Sequence, residues 1–271
     1  MKKLLILGAS GLVGKALVEE CKDGFDVYGT YSSSSLKMPG ANQYRLQINE
    51  IDKMKDIVES IKPDPVISCL RGDFNQQLIF HKELALKIKN IESILYYFST
   101  ANVFDGDFSE HHSELDTPNA TSPYGKFKIN CENTLQEILN ERAVILRIPQ
   151  IWGEKSPRMD IIKSGIENNH IDVYSNLECN NLSDTLLAKQ LKYIMENKLN
   201  GIFHLGSVDM MTHERFIEKL TKSLTYKELH FNHSLFQQIT DNCYFGLKSY
   251  RNDIPKSLQK TNEEIISDLV S

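Results

Sequence analysis

Short uninterrupted apolar runs alternate with helically spaced ones along the first half of the chain. Residues 4–7 (Leu4, Leu5, Ile6, Leu7) form such a run, the pattern of a strand buried on both faces. Residues 25–30 read as a second strand, 44–48 as a short third and 66–70 as a fourth, with 93–98 and 143–148 following. Between them, Ile51, Met54, Ile57, Val58 and Ile61 recur at helical spacing until Lys62-Pro63-Asp64-Pro65 stops the helix. Further helices are predicted over 80–91 and 124–139. Strands alternating with helices predict the α/β class, a doubly wound parallel sheet.

The pattern changes after Trp152-Gly153. Helices are predicted over 157–169, over 184–197 through Leu187, Leu191 and Ile194, and over 212–224 with Thr212 as cap. Residues 201–205 read as a short strand and 263–270 as a terminal helix, whereas 231–253 carries no legible period. Neither an internal repeat nor a low-complexity linker separates the two parts.

The first strand runs straight into Gly8-Ala9-Ser10-Gly11-Leu12-Val13-Gly14, and helical sequence follows. A strand, a glycine turn and a helix make the opening unit of a Rossmann-type dinucleotide-binding fold. Gly8 permits the tight turn, Gly11 lets backbone approach a pyrophosphate, and Gly14 lets the helix pack close to the strand. The helix N-terminus offers the phosphates free N–H groups and a partial positive charge. We therefore expect a dinucleotide-binding domain over 1–153 and a smaller, mainly substrate-binding part over 154–271, with about 184–206 returning to the first.

Composition narrows the classes. The 271 residues are 41% hydrophobic and 25% charged, as in soluble globular proteins. A net charge of −5 argues against a nucleic-acid binder. Five dispersed cysteines without a C-x-x-C pair suggest reduced thiols and a cytoplasmic chain. No stretch is long enough to span a membrane. The assembly state is left open, a homodimer being one option. His111, His112 and Glu114 could be read as a metal cluster, but adjacent histidines do not converge on one ion, so no metal is expected.

The end of the second strand bears on cofactor choice. An acid there would bond the ribose 2′-OH of NAD and repel a 2′-phosphate. None is present: after Asp26 the next acid is Glu50. Thr30, Tyr31, Ser32 and Ser33 could donate to a phosphate and Lys37 is nearby, although no arginine stands beside them in sequence. NADP(H) is favoured over NAD(H). Tyr124 and Lys128 form a Y-x-x-x-K motif that places both on one helix face, where the lysine charge is expected to lower the tyrosine pKa. A tyrosine so tuned can give or take a proton at a carbonyl oxygen. Thr100, at the C-terminal end of a predicted parallel strand, could hold that oxygen beside it.

Glycine turn, Thr100 and Tyr124/Lys128 together resemble the extended short-chain dehydrogenase/reductase family. More narrowly, residues 98–106 (F-S-T-A-N-V-F-D-G) resemble the F-S-T-D-Y-V-F-D-G segment of dTDP-4-dehydrorhamnose reductases. Glu114 and Pro118 before Tyr124-Gly125, the run from Arg147 to Gly153, and Gly201-Ile202-Phe203-His204-Leu205-Gly206 are similar to further segments of that family. The resemblance is good to about Gly153, thinner to about Leu224 and faint beyond. It implies that Thr100 and Tyr124 hold a sugar C4 oxygen and that Lys128 also holds the nicotinamide ribose. It also implies a cofactor lying along Gly8, Ser10, Gly11, Leu12, Val13 and Gly14, then Thr30, Tyr31 and Ser32. Gln47, Ile48, Cys69, Leu70, Arg71, Ser99, Ile148 and Pro149 complete that expected path with Tyr124 and Lys128.

The sequence departs from the family in four places. Gln47 replaces an aspartate, Cys69-Leu70-Arg71 an N-A-A run, and Ala101-Asn102 an Asp-Tyr pair, while residues 248–258 match the substrate-binding end poorly. The implied activity is NADP(H)-dependent reduction of a keto group on a nucleotide-activated sugar. The alternative is a non-catalytic, NADP-binding regulatory or sugar-nucleotide-sensing protein of the same fold.

Overall fold

The computed structural model describes residues 1–35 and 42–271, so Lys37 lies outside the described residues. The chain opens with β1 (Lys2–Leu7), α1 (Leu12–Cys21), β2 (Phe25–Tyr31), β3 (Gln43–Arg45), α2 (Ile51–Ile61), β4 (Pro65–Ser68), α3 (Phe74–Lys89) and β5 (Ile94–Phe98). It continues through α4 (Pro123–Leu139), β6 (Ala143–Arg147), β7 (Gln150–Trp152), α5 (Pro157–Asn168), β8 (Ile171–Tyr174), β9 (Leu177–Cys179) and β10 (Asn181–Ser183). It closes with α6 (Asp184–Glu196), β11 (Ile202–His204), β12 (Met211–Thr212), α7 (His213–Leu224), β13 (Phe231–Ser234), β14 (Cys243–Tyr244) and α8 (Asn262–Val270).

Seven strands form one parallel sheet in the order β11-β6-β5-β4-β1-β2-β3, the doubly wound α/β architecture expected. Parallel strands bury both faces, and Leu4, Leu5, Ile6 and Leu7 of the central β1 are fully buried. Alternate residues serve opposite layers. Leu4 and Ile6 join a core with Leu17, Cys21, Leu187 and Leu191 of α1 and α6. Leu5 and Leu7 join another with Met54, Val58, Phe80, Leu84 and Leu135 of α2, α3 and α4. β11 pairs with β6, and Lys192 Nζ of α6 donates to the Glu20 carbonyl of α1 at 2.9 Å. Smaller sheets, β10-β7, β12-β9-β14 and β13-β8, build the remainder. Among the described residues no helix is long and apolar enough to cross a membrane.

Several boundaries differ from expectation for identifiable reasons. α3 starts at Phe74 rather than at residue 80, because Asp73 caps it by accepting from the Gln76 amide at 2.9 Å. β3 stops at Arg45 because a turn follows, closed by the Glu50 carboxylate on the Gln47 amide. β4 ends at Ser68, ahead of the expected residue 70. The segment 231–253 contains β13 and β14, held by pairing with β8 and β9.

Buried neutral imidazoles make this fold acid-sensitive. His81 lies between the Ser68 hydroxyl (2.7 Å) and the Gln77 carbonyl (2.6 Å), and burial drives its pKa down to about 3. His213 accepts the Tyr174 amide at 3.2 Å, and burial, aided by the Arg158 charge, lowers it to about 4. Between their unfolded value of 6.5 and these values the unfolded chain binds more protons. Stability therefore rises with pH across that window and is lost as pH falls through it. Urea titrations at about pH 7 and pH 5 should show a loss of ~2 kcal/mol per such imidazole, and an unchanged midpoint would contradict this.

Candidate active site

The glycine turn is fixed from both sides. Gly8 has φ +79°, and a Cβ on Gly14 would stand 2.5 Å from the Gly8 oxygen and 2.6 Å from Ala9 Cα, so only glycine lets α1 descend onto β1. Gly11 caps α1 without a side-chain acceptor, which leaves the first-turn amides facing the cleft for an anion. Thr30 is 1% exposed, and its Oγ1 accepts from the Gly8 amide at 3.0 Å. Its oxygen serves the turn.

Next to it, the β2–β3 register sets Arg45 beside Tyr31. Arg45 Nε and Gln47 Nε2 each donate to the Ser32 carbonyl at 3.3 Å. Asp26 sits at the other end of β2, bonded to the Tyr28 hydroxyl and Asn42. Sequence reasoning missed Arg45. It is remote from Ser32 along the chain, and only the strand pairing brings it there.

At the reactive end, Thr100 lies two residues past β5 and caps a 3-10 turn over Ala101–Phe104 by accepting from the Asn102 amide at 3.2 Å. Its hydroxyl donates to Asn102 Oδ1 at 3.1 Å. The start of α4 is pressed onto this turn: a Cβ on Gly125 would lie 2.2 Å from the Asn102 oxygen. Asp105 ties the two together by accepting from the Thr121 and Ser122 amides at 2.7 and 3.0 Å. Thr100 and Tyr124 thereby line the same cleft. Lys128 is buried and donates to the Phe98 carbonyl at 2.8 Å, with its Nζ 4.6 Å from the Tyr97 ring centre.

The electrostatics correct one expectation. Burial raises the Tyr124 pKa above its ordinary value, and what opposes it is the Thr100 hydrogen bond and the Arg71 charge, not Lys128. Burial lowers Lys128 itself to about 8. The lysine ammonium is turned toward the Phe98 carbonyl, with its Nζ 5.9 Å from the Tyr124 ring centre. Burial also pushes the Cys69 thiol up to about 12, so it stays a thiol.

Behind the cleft, a buried polar network braces α4. Arg147 is 2% exposed and grips Glu132 through Nε at 3.2 Å and Nη2 at 2.8 Å. Ser99 donates to the same carboxylate. Arg147 Nη1 lies 3.3 Å from His204 Nε2, and His204 Nδ1 lies 2.9 Å from the Lys248 carbonyl. Glu114 accepts from the His204 and Tyr250 amides at 3.1 and 3.0 Å. His111 goes to Glu178 (2.9 Å) and His112 to the Asp107 carbonyl (3.1 Å), so the adjacent imidazoles diverge.

Around one cleft of about 1070 Å³ stand Gly8, Ser10, Gly11, Leu12, Val13, Gly14, Thr30, Tyr31, Ser32, Gln47, Ile48, Cys69, Leu70, Arg71, Ser99, Thr100, Tyr124, Lys128, Ile148 and Pro149, whereas Ser33 and Arg45 are not in its lining. Gln150, Arg158, Cys179, Asn180 and Phe245, which sequence reasoning missed, also line it. The available signal was Arg158 in the first turn of a helix, where the macrodipole disfavours a cation.

Residues 73–242 match the family described as RmlD substrate binding domain. Methionine adenosyltransferase 2 subunit beta of Danio rerio is 27% identical over 245 residues, covering 78% of this chain and 70% of that one. A probable low-salt glycan biosynthesis reductase of Haloferax volcanii is 20% identical, covering 79% and 78%. Among solved structures, dTDP-4-dehydrorhamnose reductase from Bacillus anthracis in complex with NADP superposes with a TM-score of 0.82 at 20% identity, covering 99% and 98%.

Proposed function

The chain belongs to the RmlD substrate binding domain family, among the extended short-chain dehydrogenases/reductases, and from that premise we propose that it is an NADP(H)-dependent reductase of a keto group on a nucleotide-activated sugar. The observation that carries this reading is the convergence of Thr100, Tyr124 and Lys128 on the cleft that holds the glycine turn. That cleft suits a dinucleotide: Gly14 leaves no room for a Cβ beneath the turn, and the α1 amides are uncapped. The path proposed for it runs from the turn past Thr30, Tyr31 and Ser32, then along Gln47, Ile48, Cys69, Leu70 and Arg71 to Ser99, Ile148 and Pro149, with Tyr124 and Lys128 beside it. The division of labour follows, with 1–153 and about 184–206 binding the dinucleotide and the rest of 154–271 mainly the sugar.

When bound, the reduced nicotinamide supplies a hydride to the carbonyl carbon. Tyr124, held protonated by its raised pKa, donates the proton that the carbonyl oxygen needs. Thr100 orients that oxygen. Lys128 keeps a positive charge below about pH 8 and anchors the ribose side of the cleft. Oxidation of NADPH against a panel of nucleotide 4-keto sugars tests the reading. Turnover of at least one supports it, and inertness toward all counts against it.

The second reading, a non-catalytic NADP-binding regulatory or sensing protein, is favoured by the Asn102 side chain, which occupies the Thr100 hydroxyl proton. The likeness to methionine adenosyltransferase 2 subunit beta points the same way. Under it, NADPH binds, no keto sugar is reduced, and adding the chain to a methionine adenosyltransferase catalytic subunit changes that enzyme's kinetics.

The preference for NADP(H) rests on Arg45 and the Tyr31–Ser32 hydroxyls at an acid-free strand end. Arg45→Ala should weaken NADPH about tenfold, the worth of one charge-assisted hydrogen bond, and leave NADH unchanged. Ser32→Asp should turn the preference toward NADH by repulsion. Titration with both nucleotides decides it, and tighter NADH binding by the parent protein would overturn the preference.

A further inference from the structure

Thr100 stands in the cleft with Asn102 beside it. A threonine hydroxyl has one proton to give and two lone pairs with which to accept. Here the proton goes to Asn102 Oδ1 at 3.1 Å, and one lone pair takes the Asn102 amide at 3.2 Å. The direction is fixed from behind. Asn102 Nδ2 lies 3.5 Å from Asp105 Oδ2, and Asp105 also accepts from the Thr121 and Ser122 amides at 2.7 and 3.0 Å. Burial alone would raise the Asp105 pKa, but hydrogen bonds from Ser122, Thr121 and Asn102 hold it below the usual carboxylate value. An ionised carboxylate only accepts. The carboxamide therefore turns its NH2 to Asp105 and its oxygen to Thr100, since the flipped amide would set oxygen against carboxylate. The Asn102 backbone is held as well, packed against Gly125, where a Cβ would stand 2.2 Å from its oxygen.

One lone pair is what Thr100 has left for a ligand. A keto oxygen also carries lone pairs only, so the two oxygens repel at hydrogen-bond distance. A ligand hydroxyl suits the site, because it has a proton to give Thr100 and a lone pair left for the Tyr124 hydroxyl in the same cleft. The donors then run one way, from Tyr124 through the ligand oxygen, Thr100 and Asn102 to Asp105. Neither the strand end nor the Y-x-x-x-K motif produces this polarity. It comes from Asn102, which stands where the resembled segment has tyrosine, a side chain with no carboxamide to take the Thr100 proton.

We infer that Asn102 is a positioning residue that sets which oxidation state of the sugar the cleft holds: by keeping the Thr100 proton it favours the hydroxyl form over the keto form. Naming the ligand a sugar rests on the reductase reading; the polarity of the Thr100 site does not. Calorimetry on complexes that cannot react tests the inference. The probes are matched 4-hydroxy and 4-keto 6-deoxyhexoses linked to dTDP, UDP and GDP. The hydroxy member is titrated into NADPH-loaded protein and the keto member into NADP+-loaded protein. Asn102→Ala should tighten the keto member of the best-bound pair about tenfold, the worth of one regained hydrogen bond, and leave the hydroxy member near parental. Asn102→Leu, which keeps the side chain's shape without its polar end, should do the same. In a Thr100→Val background neither change should alter keto affinity, whereas a merely structural effect of Asn102 would persist there. Equal effects on both members, an unchanged keto affinity, or a parent that binds no pair at millimolar concentration would overturn the inference. If the shift appears but the parent reduces no keto sugar, the reductase reading fails and the role of Asn102 stands. If the parent reduces a keto sugar and the Asn102 variants bind both members as it does, the inference fails alone.

Discussion

Replacing Tyr124 by Phe is expected to cut NADPH-dependent turnover about a hundredfold or more, the usual worth of a positioned acid, with melting temperature and NADPH affinity near parental. The fold tolerates the change because the ring is retained. It leans on Phe74 at 5.7 Å and Phe127 at 6.5 Å between centroids, and Tyr124 is 37% exposed at the mouth of the cleft. What is lost is the hydroxyl, in the cleft that Thr100 also lines. Hydride addition builds negative charge on oxygen, so a proton must arrive there, and water entering the cleft is the remaining donor. Lys128→Met should behave differently. It removes a buried donor from the Phe98 carbonyl, so turnover and cofactor affinity should both fall. The pH profile separates the two residues. Tyr124 keeps its proton throughout the neutral range because its pKa is raised. Lys128 is charged below about 8 and neutral above it, so the parent rate should decline as pH rises through that value. Steady-state rates on whichever keto sugar is accepted would settle the matter. Parental turnover by Tyr124→Phe would refute the mechanism while leaving the fold untouched.

The features legible in the sequence were local ones. An apolar run of four before three glycines signals a strand and a helix within a dozen or so residues, and Y-x-x-x-K needs only helical geometry to put two side chains on one face. The core of β1 follows from composition, because a strand apolar on both faces fits only inside a covered parallel sheet. The features that escaped depend on pairing between remote segments. Arg45 reaches Ser32 only through the β2–β3 register. β13 and β14, four and two residues long, exist because β8 and β9 receive them, and nothing in their own sequence has a period. α3 was read short because its first turn carries Asn75, Gln76 and Gln77, and its start is set by the Asp73 cap instead. The Tyr124–Lys128 coupling was misjudged for a related reason: spacing sets which face a side chain occupies, but burial and the Phe98 carbonyl set where the ammonium points. Arg158 is not legible as a cleft residue, because its place in the lining exists only once α5 has packed.

Arg147→Met is expected to remove about 3–5 kcal/mol of stability, the loss typical when one member of a buried ion pair is deleted. Arg147 and Glu132 are each 2% exposed. Glu132 presents two oxygens to three donors, Arg147 Nε, Arg147 Nη2 and the Ser99 hydroxyl. Methionine fills much of the arginine stem's volume, so little of the loss comes from a cavity. The cost arises because Glu132 is left charged, dry and with one donor. Urea unfolding of parent and variant side by side at neutral pH measures the loss. Glu132→Met added to Arg147→Met should recover most of the lost stability, because removing both charges leaves nothing uncompensated. The pair also joins α4 to β6 one turn beyond Lys128, so the single variant should raise the KM for NADPH as the helix shifts. A single variant within about 1 kcal/mol of the parent at neutral pH, or a double variant no better than the single, would mean that the ion pair is not what holds the catalytic helix to the sheet.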